Sequence, residues 1–195
     1  MLPSARPVLC AGALVGSVLL LLVSVLPAAA EVKYETQNIV VIAPSQADLD
    51  DMARRLAPGG GGLRLLRFAG DRREAASAPN LGASLEGLLR DVARVLTLPT
   101  HNLPRLRIFL LPDGYQVRQR HLLFSQDPGR ALLGYRPLEA FYEAGSRSIF
   151  LSLADLRRGI MAHELSHFLL CTALAAPPPQ AVQEEWARYA ETQID

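Results

Sequence analysis

The segment His163-Glu164-Leu165-Ser166-His167 holds the residues of this chain whose types and spacing could do chemistry. It lies in an apolar stretch that favours a helix, and helical side chains four positions apart share one face. Both imidazoles can therefore bind one metal ion, while Glu164 can reach a water at the same place and act as its general base. The pattern predicts a zinc site that activates water for hydrolysis.

A catalytic zinc needs a third protein ligand and one open position. No histidine follows His167, and Leu170 stands where the extended H-E-x-x-H-x-x-G-x-x-H pattern has its glycine. Zincins whose third ligand is a downstream histidine are therefore excluded. The other two histidines outside the leader, His101 and His121, lie upstream. The downstream candidates for the third ligand are Cys171, Glu184, Glu185, Glu191 and Asp195.

The position of the prolines limits how these candidates can approach the metal. The motif helix must end before the prolines at 177–179, about 15 Å beyond the middle of the motif at 1.5 Å per residue. A last helix, from about Gln180 to Thr192, can then run back alongside it. All three of its glutamates come within reach of the metal. Cys171 extends the histidine stripe by one turn but lies too far along to share the metal easily.

Two segments resemble the gluzincin metallopeptidases, most closely the small bacterial proteins with a peptidase-MA-like domain. The first is Met161 to Phe168 and the second, beyond Pro179, is Glu184 to Tyr189. The second signature of that family reads roughly E-G-x-A-x-Y, and its glutamate is the third zinc ligand. Ser148 to Leu153 resembles the edge strand that runs into the motif helix. The resemblance covers about Arg105 to Thr192.

The resemblance implies a ligand set and a cofactor. Aligned with the second signature, Glu184 is the third ligand of a Zn²⁺ ion that His163 and His167 also bind. Glu185 stands where the family has glycine, so it is the alternative ligand. Glu164 is the catalytic residue, which takes a proton from water and delivers it to the leaving amine.

A peptidase also needs an oxyanion donor and a surface for its peptide or protein substrate. The edge strand near Ile149 is expected to pair with an extended peptide. Trp186 and Tyr189, three positions apart, are expected to pack inside the protein rather than contact substrate. The candidate oxyanion donors are Tyr189, Arg188, Tyr142 and His121.

The elements that must position these residues follow from local patterns. Strands are predicted at Val32–Ala43, Leu63–Phe68, Leu106–Leu111, Ala140–Tyr142 and Ser148–Leu151. Helices are predicted at Gln46–Leu56 after the cap Ser45, from Ser84, at Tyr115–Leu123, from the cap Asp155 through the motif, and at Gln180–Thr192. Strands first and paired helices last predict an α+β domain. In the zincin-like form that the resemblance implies, a small mixed sheet precedes an active-site helix and an antiparallel C-terminal helix.

Residues 1–30 have the pattern of a signal peptide, followed by one domain at 31–195. The run Leu9 to Leu26 is apolar apart from two serines, and Pro27-Ala28-Ala29-Ala30 offers an A-x-A cleavage site. The run is also just long enough to span a bilayer, so an uncleaved membrane anchor is the alternative. Either way the domain is expected to be exported, to the periplasm or the medium.

Charge and cysteine content narrow the partners. Without Arg6 of the leader, 19 basic residues balance 19 acidic ones. A formal charge of zero provides no field for nucleic acid or an anionic membrane surface, and the oligomeric state stays open. Cys171 is the one cysteine outside the leader, so no intrachain disulfide is expected there, and its apolar context predicts a buried side chain.

Two other functions remain open at this point. The leading alternative is a non-catalytic envelope protein that keeps a zincin fold for binding or assembly. A purely structural zinc would not need Glu164, which favours the enzyme. The third function is a membrane-anchored structural protein with a chance motif, in which Glu184 and Glu185 are solvated acids of a first helical turn.

Overall fold

The computed structural model describes residues 31–57, 80–124 and 136–194. The leader and the strand predicted at Leu63–Phe68 lie outside these ranges. Within them are the strands β1 (Val32–Glu35), β2 (Ile39–Ala43), β3 (Leu106–Leu111), β4 (Ala140–Glu143) and β5 (Ser148–Ser152). The helices are α1 (Gln46–Leu56), α2 (Leu81–Val95), α3 (Gly114–Phe124), α4 (Arg158–Thr172) and α5 (Gln180–Ile194). Across the three ranges, no helix combines the length and apolar character that a membrane span requires.

The five strands form one mixed sheet in the order β1-β2-β3-β5-β4. The inner strands β2, β3 and β5 are parallel, and the outer strands β1 and β4 pair antiparallel with their neighbours. The prediction of an α+β domain with a mixed sheet is therefore confirmed. The motif helix α4 follows directly after β5.

The first predicted strand is wrong in its extent, because Val32–Ala43 forms a hairpin of two strands. Thr36 ends β1, and its backbone N–H donates to the Ile39 carbonyl at 2.8 Å. Glu86 of α2 accepts from the Thr36 hydroxyl, from the Asn38 N–H at 3.0 Å and from the Asn38 amide at 2.9 Å. These side-chain hydrogen bonds stabilise a turn between β1 and β2, which the β-branched residues of the sequence do not indicate.

The strand predicted at the edge of the sheet lies inside it. β5 pairs with β3 on one side and β4 on the other, and all five of its residues are buried. Ile149 is completely buried, so it cannot meet a peptide. On this side of the sheet the free edge among the described residues belongs to β4, because the tight turn at 144–147 folds β4 back along the side of β5 that β3 leaves open.

One face of the sheet makes the core with α1, α2 and α4. The register aligns Val41, Ile108, Ile149 and Tyr142 across four strands on this face. Phe168 of α4 is completely buried against it, with its ring 6.1 Å from that of Tyr142. This packing holds one side of α4, the motif helix, against the sheet.

The opposite face carries α3 over a row of aromatic rings. Phe109, Phe150 and Phe141 align on β3, β5 and β4, with successive ring centroids 4.9 Å apart. Phe124 of α3 packs on Phe150 at 5.4 Å, and the His121 ring meets Phe141 edge-on at 4.9 Å. α3 thus reaches the free edge of the sheet from the face opposite α4.

The starts of α1 and α5 agree with the sequence, and those of α2, α3 and α4 differ. Ser45 caps α1 as predicted, because its side chain accepts from the Asp48 N–H. α2 begins at Leu81 rather than Ser84, with Asn80 as its cap. α4 begins at Arg158, and Asp155 accepts from the Ser152 hydroxyl instead of capping it. Short polar side chains compete for local backbone and side-chain donors, which shifts helix ends by a few residues.

Candidate metal centre

α4 holds the motif in a helix that is buried on almost every side. Residues 159–162 and 164–166 are buried, as are 168–170, so the helix is fixed against the sheet and its neighbouring helices. His163 and His167 are the partly exposed exceptions, with 19% and 12% of their side chains exposed. Their position at i and i+4 places the two Nε2 atoms 3.3 Å apart.

α5 returns antiparallel to α4 after the prolines and carries the third group. One carboxylate oxygen of Glu184 lies 3.6 Å from Nε2 of His163, and the other lies 3.7 Å from Nε2 of His167. Among the described residues, these three form the group whose ligand atoms all lie within 4.8 Å of one another. The structure therefore brings together the three residues named as ligands.

The spacing of these atoms suits a zinc ion. At the usual zinc–nitrogen distance of 2.0–2.1 Å, two ligands of a tetrahedral centre lie roughly 3.3–3.4 Å apart. The two imidazole nitrogens meet that value, and the two distances to Glu184 exceed it by a few tenths of an ångström. Two imidazoles and one carboxylate also form a catalytic zinc ligand set that leaves a fourth position open.

Each histidine is bonded through its other ring nitrogen to α5. Nδ1 of His163 donates to Glu191 at 3.1 Å, and Nδ1 of His167 donates to Gln183 at 3.4 Å. Burial, followed by the nearby His163, lowers the pKa of His167. A neutral imidazole is the form that binds a metal.

Glu164 is a buried carboxyl beside the three ligands. Only 7% of the residue is exposed. Burial raises its pKa to about 8, the Glu184 and Glu191 carboxylates act in the same direction, and a hydrogen bond from the Tyr142 backbone N–H opposes them. A carboxyl group with a pKa near neutrality can both take up and return a proton at physiological pH.

Two clefts of about 510 and 290 Å³ adjoin this centre. Both are lined by His163 and Glu164 from α4 and by Leu138 and Ala140 at the start of the free edge strand β4. The larger cleft continues past Glu184 to the side chains of Arg118 and His121 on α3. The smaller one ends at Glu139 and Glu191. Open space therefore lies on both sides of Glu164 along one strand.

Several residues named from the sequence lie elsewhere. Glu185, the alternative ligand, is exposed on α5 and is not one of the three grouped ligand residues. Tyr189 is 56% exposed and Trp186 40%, so neither side chain belongs to the core. The reason is that α5 buries Ala187 and Ala190, which turns the two aromatic residues outward.

The remaining oxyanion candidates and the cysteine also have defined places. Arg188 is exposed, whereas Tyr142 and His121 both line the larger cleft. The Tyr142 hydroxyl is buried and has no hydrogen-bond partner among the described residues. Cys171, expected to be buried, is half-exposed in the same cleft, and its thiol donates to Gln183 at 3.5 Å.

The sequence reasoning gave no role to Gln183, Arg157 or Arg118. Glu191 lies two helical turns after Glu184 and therefore near the same face of α5, whereas Gln183, directly before Glu184, lies about 100° round the helix. Periodicity could therefore have identified Glu191 as a contact of the histidines, but not Gln183. Arg118 had no comparable signal, because its approach to the cleft depends on α3 crossing the opposite face of the sheet.

No protein-family model, curated protein or solved structure matches this chain. The sequence motif and the geometry of this centre therefore carry the functional argument.

Proposed function

We propose that this protein is an exported zinc-dependent metallopeptidase with a zincin-like fold and a gluzincin ligand set. One observation carries the proposal. Nε2 of His163 and Nε2 of His167 lie 3.3 Å apart, each has an oxygen of the Glu184 carboxylate within 3.7 Å, and the buried carboxyl of Glu164 lies beside them. A metal site without catalysis has no need of that fourth, non-ligating acid.

His163, His167 and Glu184 would hold a zinc ion, which when bound would act as a Lewis acid toward a carbonyl and would lower the pKa of water. Glu164 accepts the proton of the attacking water and passes it to the nitrogen of the leaving amine. The Tyr142 N–H holds the Glu164 carboxylate in place during both transfers. The larger cleft is lined by Arg118, His121 and Tyr142, whose side chains carry donors for the developing oxyanion.

The substrate is an extended peptide segment that pairs with β4. The Glu139 carbonyl accepts from the Ser152 N–H at 2.8 Å, toward β5. Because backbone groups alternate along an antiparallel strand, Ala140 and Tyr142 direct theirs away from the sheet. The Tyr142 N–H donates to Glu164, so the Ala140 N–H and the carbonyls of Ala140 and Tyr142 are the groups left for the peptide. The two clefts then take the peptide on either side of Glu164. We therefore assign peptide pairing to β4, whereas the sequence had indicated the strand near Ile149.

Metal analysis of the purified protein tests the metal site. Wild type is expected to hold about one zinc per chain, and His163→Ala none. His101→Ala is the matched control, because His101 is an exposed histidine in a loop outside the centre. Absence of zinc from the wild type, or equal loss in both variants, would contradict the proposal.

Peptide hydrolysis tests the activity. Unfolded casein and a peptide library are incubated with the protein, with and without a chelator, and cleavage is read by mass spectrometry. We expect cleavage that the chelator stops. A chain that binds zinc and cleaves nothing would instead fit the non-catalytic envelope protein.

A further inference from the structure

Glu191 occupies a bridging position at the edge of the metal centre. One of its carboxylate oxygens accepts from Nδ1 of His163 at 3.1 Å. The other accepts from the guanidinium of Arg157 at 3.0 Å. Arg157 directly precedes α4 and also donates to Glu139 at 3.4 Å, so the carboxylate is fixed from both ends.

This contact determines which nitrogen of His163 faces the other ligands. A carboxylate can only accept, so Nδ1 carries the proton and Nε2 keeps its lone pair. That Nε2 atom is the one 3.3 Å from His167 and 3.6 Å from Glu184. A carboxylate acceptor also fixes the orientation of the ring and so strengthens it as a metal ligand.

The partner of the second histidine differs in charge and strength. Gln183 donates through its Nε2 to the Pro178 carbonyl at 2.7 Å, which leaves its oxygen facing His167 at 3.4 Å. That neutral oxygen also accepts from Cys171 at 3.5 Å. Hydrogen bonds to ionised acceptors are shorter and roughly twice as strong as neutral ones. His163 is therefore the more firmly oriented of the two.

We propose that Glu191, held by Arg157, is the positioning residue that fixes the His163 ring for metal binding. The proposal rests on the proposed function in that the group bound is zinc. It adds that the affinity of the site depends on a residue that does not touch the metal. The exposed fraction of the Glu191 side chain is 25%, so a single substitution there leaves the core intact.

The zinc dissociation constant, measured by competition with a chromogenic chelator, tests this role. Glu191→Gln is expected to weaken zinc binding about 10-fold and Glu191→Ala up to about 100-fold, within the range of outer-shell substitutions. Glu35→Gln is the control, an exposed glutamate of β1 at the opposite edge of the sheet, and should keep the wild-type constant. Unchanged affinity in Glu191→Ala, or equal loss in the control, would overturn the proposal.

The His163 tautomer gives a second measurement that needs no metal. Long-range proton–nitrogen correlation spectra of the metal-free protein should show Nδ1–H for His163 in the wild type and a tautomer mixture in Glu191→Ala. The same tautomer in both would overturn the positioning role. Because this spectrum is independent of zinc, it separates a failure of this inference from a failure of the proposed function.

Discussion

Glu86 and Glu164 are two helical glutamates whose carboxylates each accept a hydrogen bond from a backbone N–H. For Glu86 the donor is Asn38 in the turn before β2, and for Glu164 it is Tyr142 in β4. Burial raises the pKa of Glu86, but hydrogen bonds from Thr36 and Asn38 outweigh it and leave that pKa below its ordinary value. For Glu164, burial and two neighbouring carboxylates raise the pKa to about 8.

The difference lies in what surrounds each carboxylate rather than in the residue type. Glu86 meets a hydroxyl, an amide and a backbone N–H, all of them donors that stabilise its charge. Glu164 meets one N–H and two acids, which destabilise its charge. The first arrangement joins a turn to a helix, and the second keeps a carboxyl group ready to exchange a proton.

The largest expected effect of this difference is on catalysis. Glu164→Gln should lower kcat/KM for peptide hydrolysis about 10²–10⁴-fold, the usual contribution of general acid–base catalysis, while the zinc content stays at the wild-type value. Glu86→Gln should leave kcat/KM within about 2-fold, because no proton moves at that residue. Rates are measured with a fluorogenic peptide. Retained hydrolysis in Glu164→Gln would contradict the role of Glu164 as general base.

Zinc binding should raise the free energy of unfolding through the metal centre, and the turn that Glu86 stabilises should not affect this increase. With zinc at 100 times its dissociation constant, the free energy of unfolding should rise by about 2.7 kcal/mol. The increase should persist in Glu86→Gln and disappear in His163→Ala. Urea unfolding with zinc and with a chelator measures it. An increase in His163→Ala would mean that the ion binds elsewhere.

Removal of the Glu86 side chain should cost stability without affecting zinc. Glu86→Ala leaves the Asn38 and Thr36 donors without their acceptor, which should lower the free energy of unfolding by about 1–2 kcal/mol. Glu164→Gln in the metal-free protein should lower it less or raise it, because folding near pH 7 must either protonate Glu164, whose pKa is about 8, or bury its charge, and glutamine requires neither. Urea unfolding of both variants measures the change in the free energy of unfolding. A larger loss in Glu164→Gln than in Glu86→Ala would contradict this prediction.

The smallest effect is the dependence of stability on pH. A pKa lowered on folding means that the unfolded chain binds more protons between the two values, so stability falls on acidification. The contribution of Glu86 should be complete above its ordinary pKa of 4.5 and decline as the pH falls through its lower folded value. The difference in unfolding free energy between wild type and Glu86→Gln, measured from pH 7 to 3, should narrow below 4.5. A difference that widens below pH 4.5 would contradict the predicted direction.

The local parts of the site could be predicted from sequence because they depend on helical periodicity. Spacing alone placed His163 and His167 on one face, and the prolines at 177–179 indicated a returning helix. The β3 bounds and the β4–β5 hairpin also followed from local patterns. These features require only residues that are close in the chain.

The missed features depend on contacts between distant segments. Apolar patterning identifies β5 as a strand but does not reveal that β4 lies outside it, so the free edge was assigned to Ile149. The contact between His163 and Glu191 depends on how α4 and α5 align, and Ala187 and Ala190 set that alignment. The exposure of Trp186 has the same origin, because apolar side chains do not always mark the buried face.

Helix α5 has small side chains at its buried positions. These are Ala187 and Ala190, with the partly buried Ile194 packed against the core, and a methyl-sized group contributes roughly 0.8 kcal/mol. Glu184 and Glu191 form most of its polar link to α4. The bound ion would therefore hold α5 against α4, and α5 would unfold locally more often without it. We expect amide hydrogen exchange along α5 to become faster when a chelator removes the ion, while the amides of β3 and β5 stay protected.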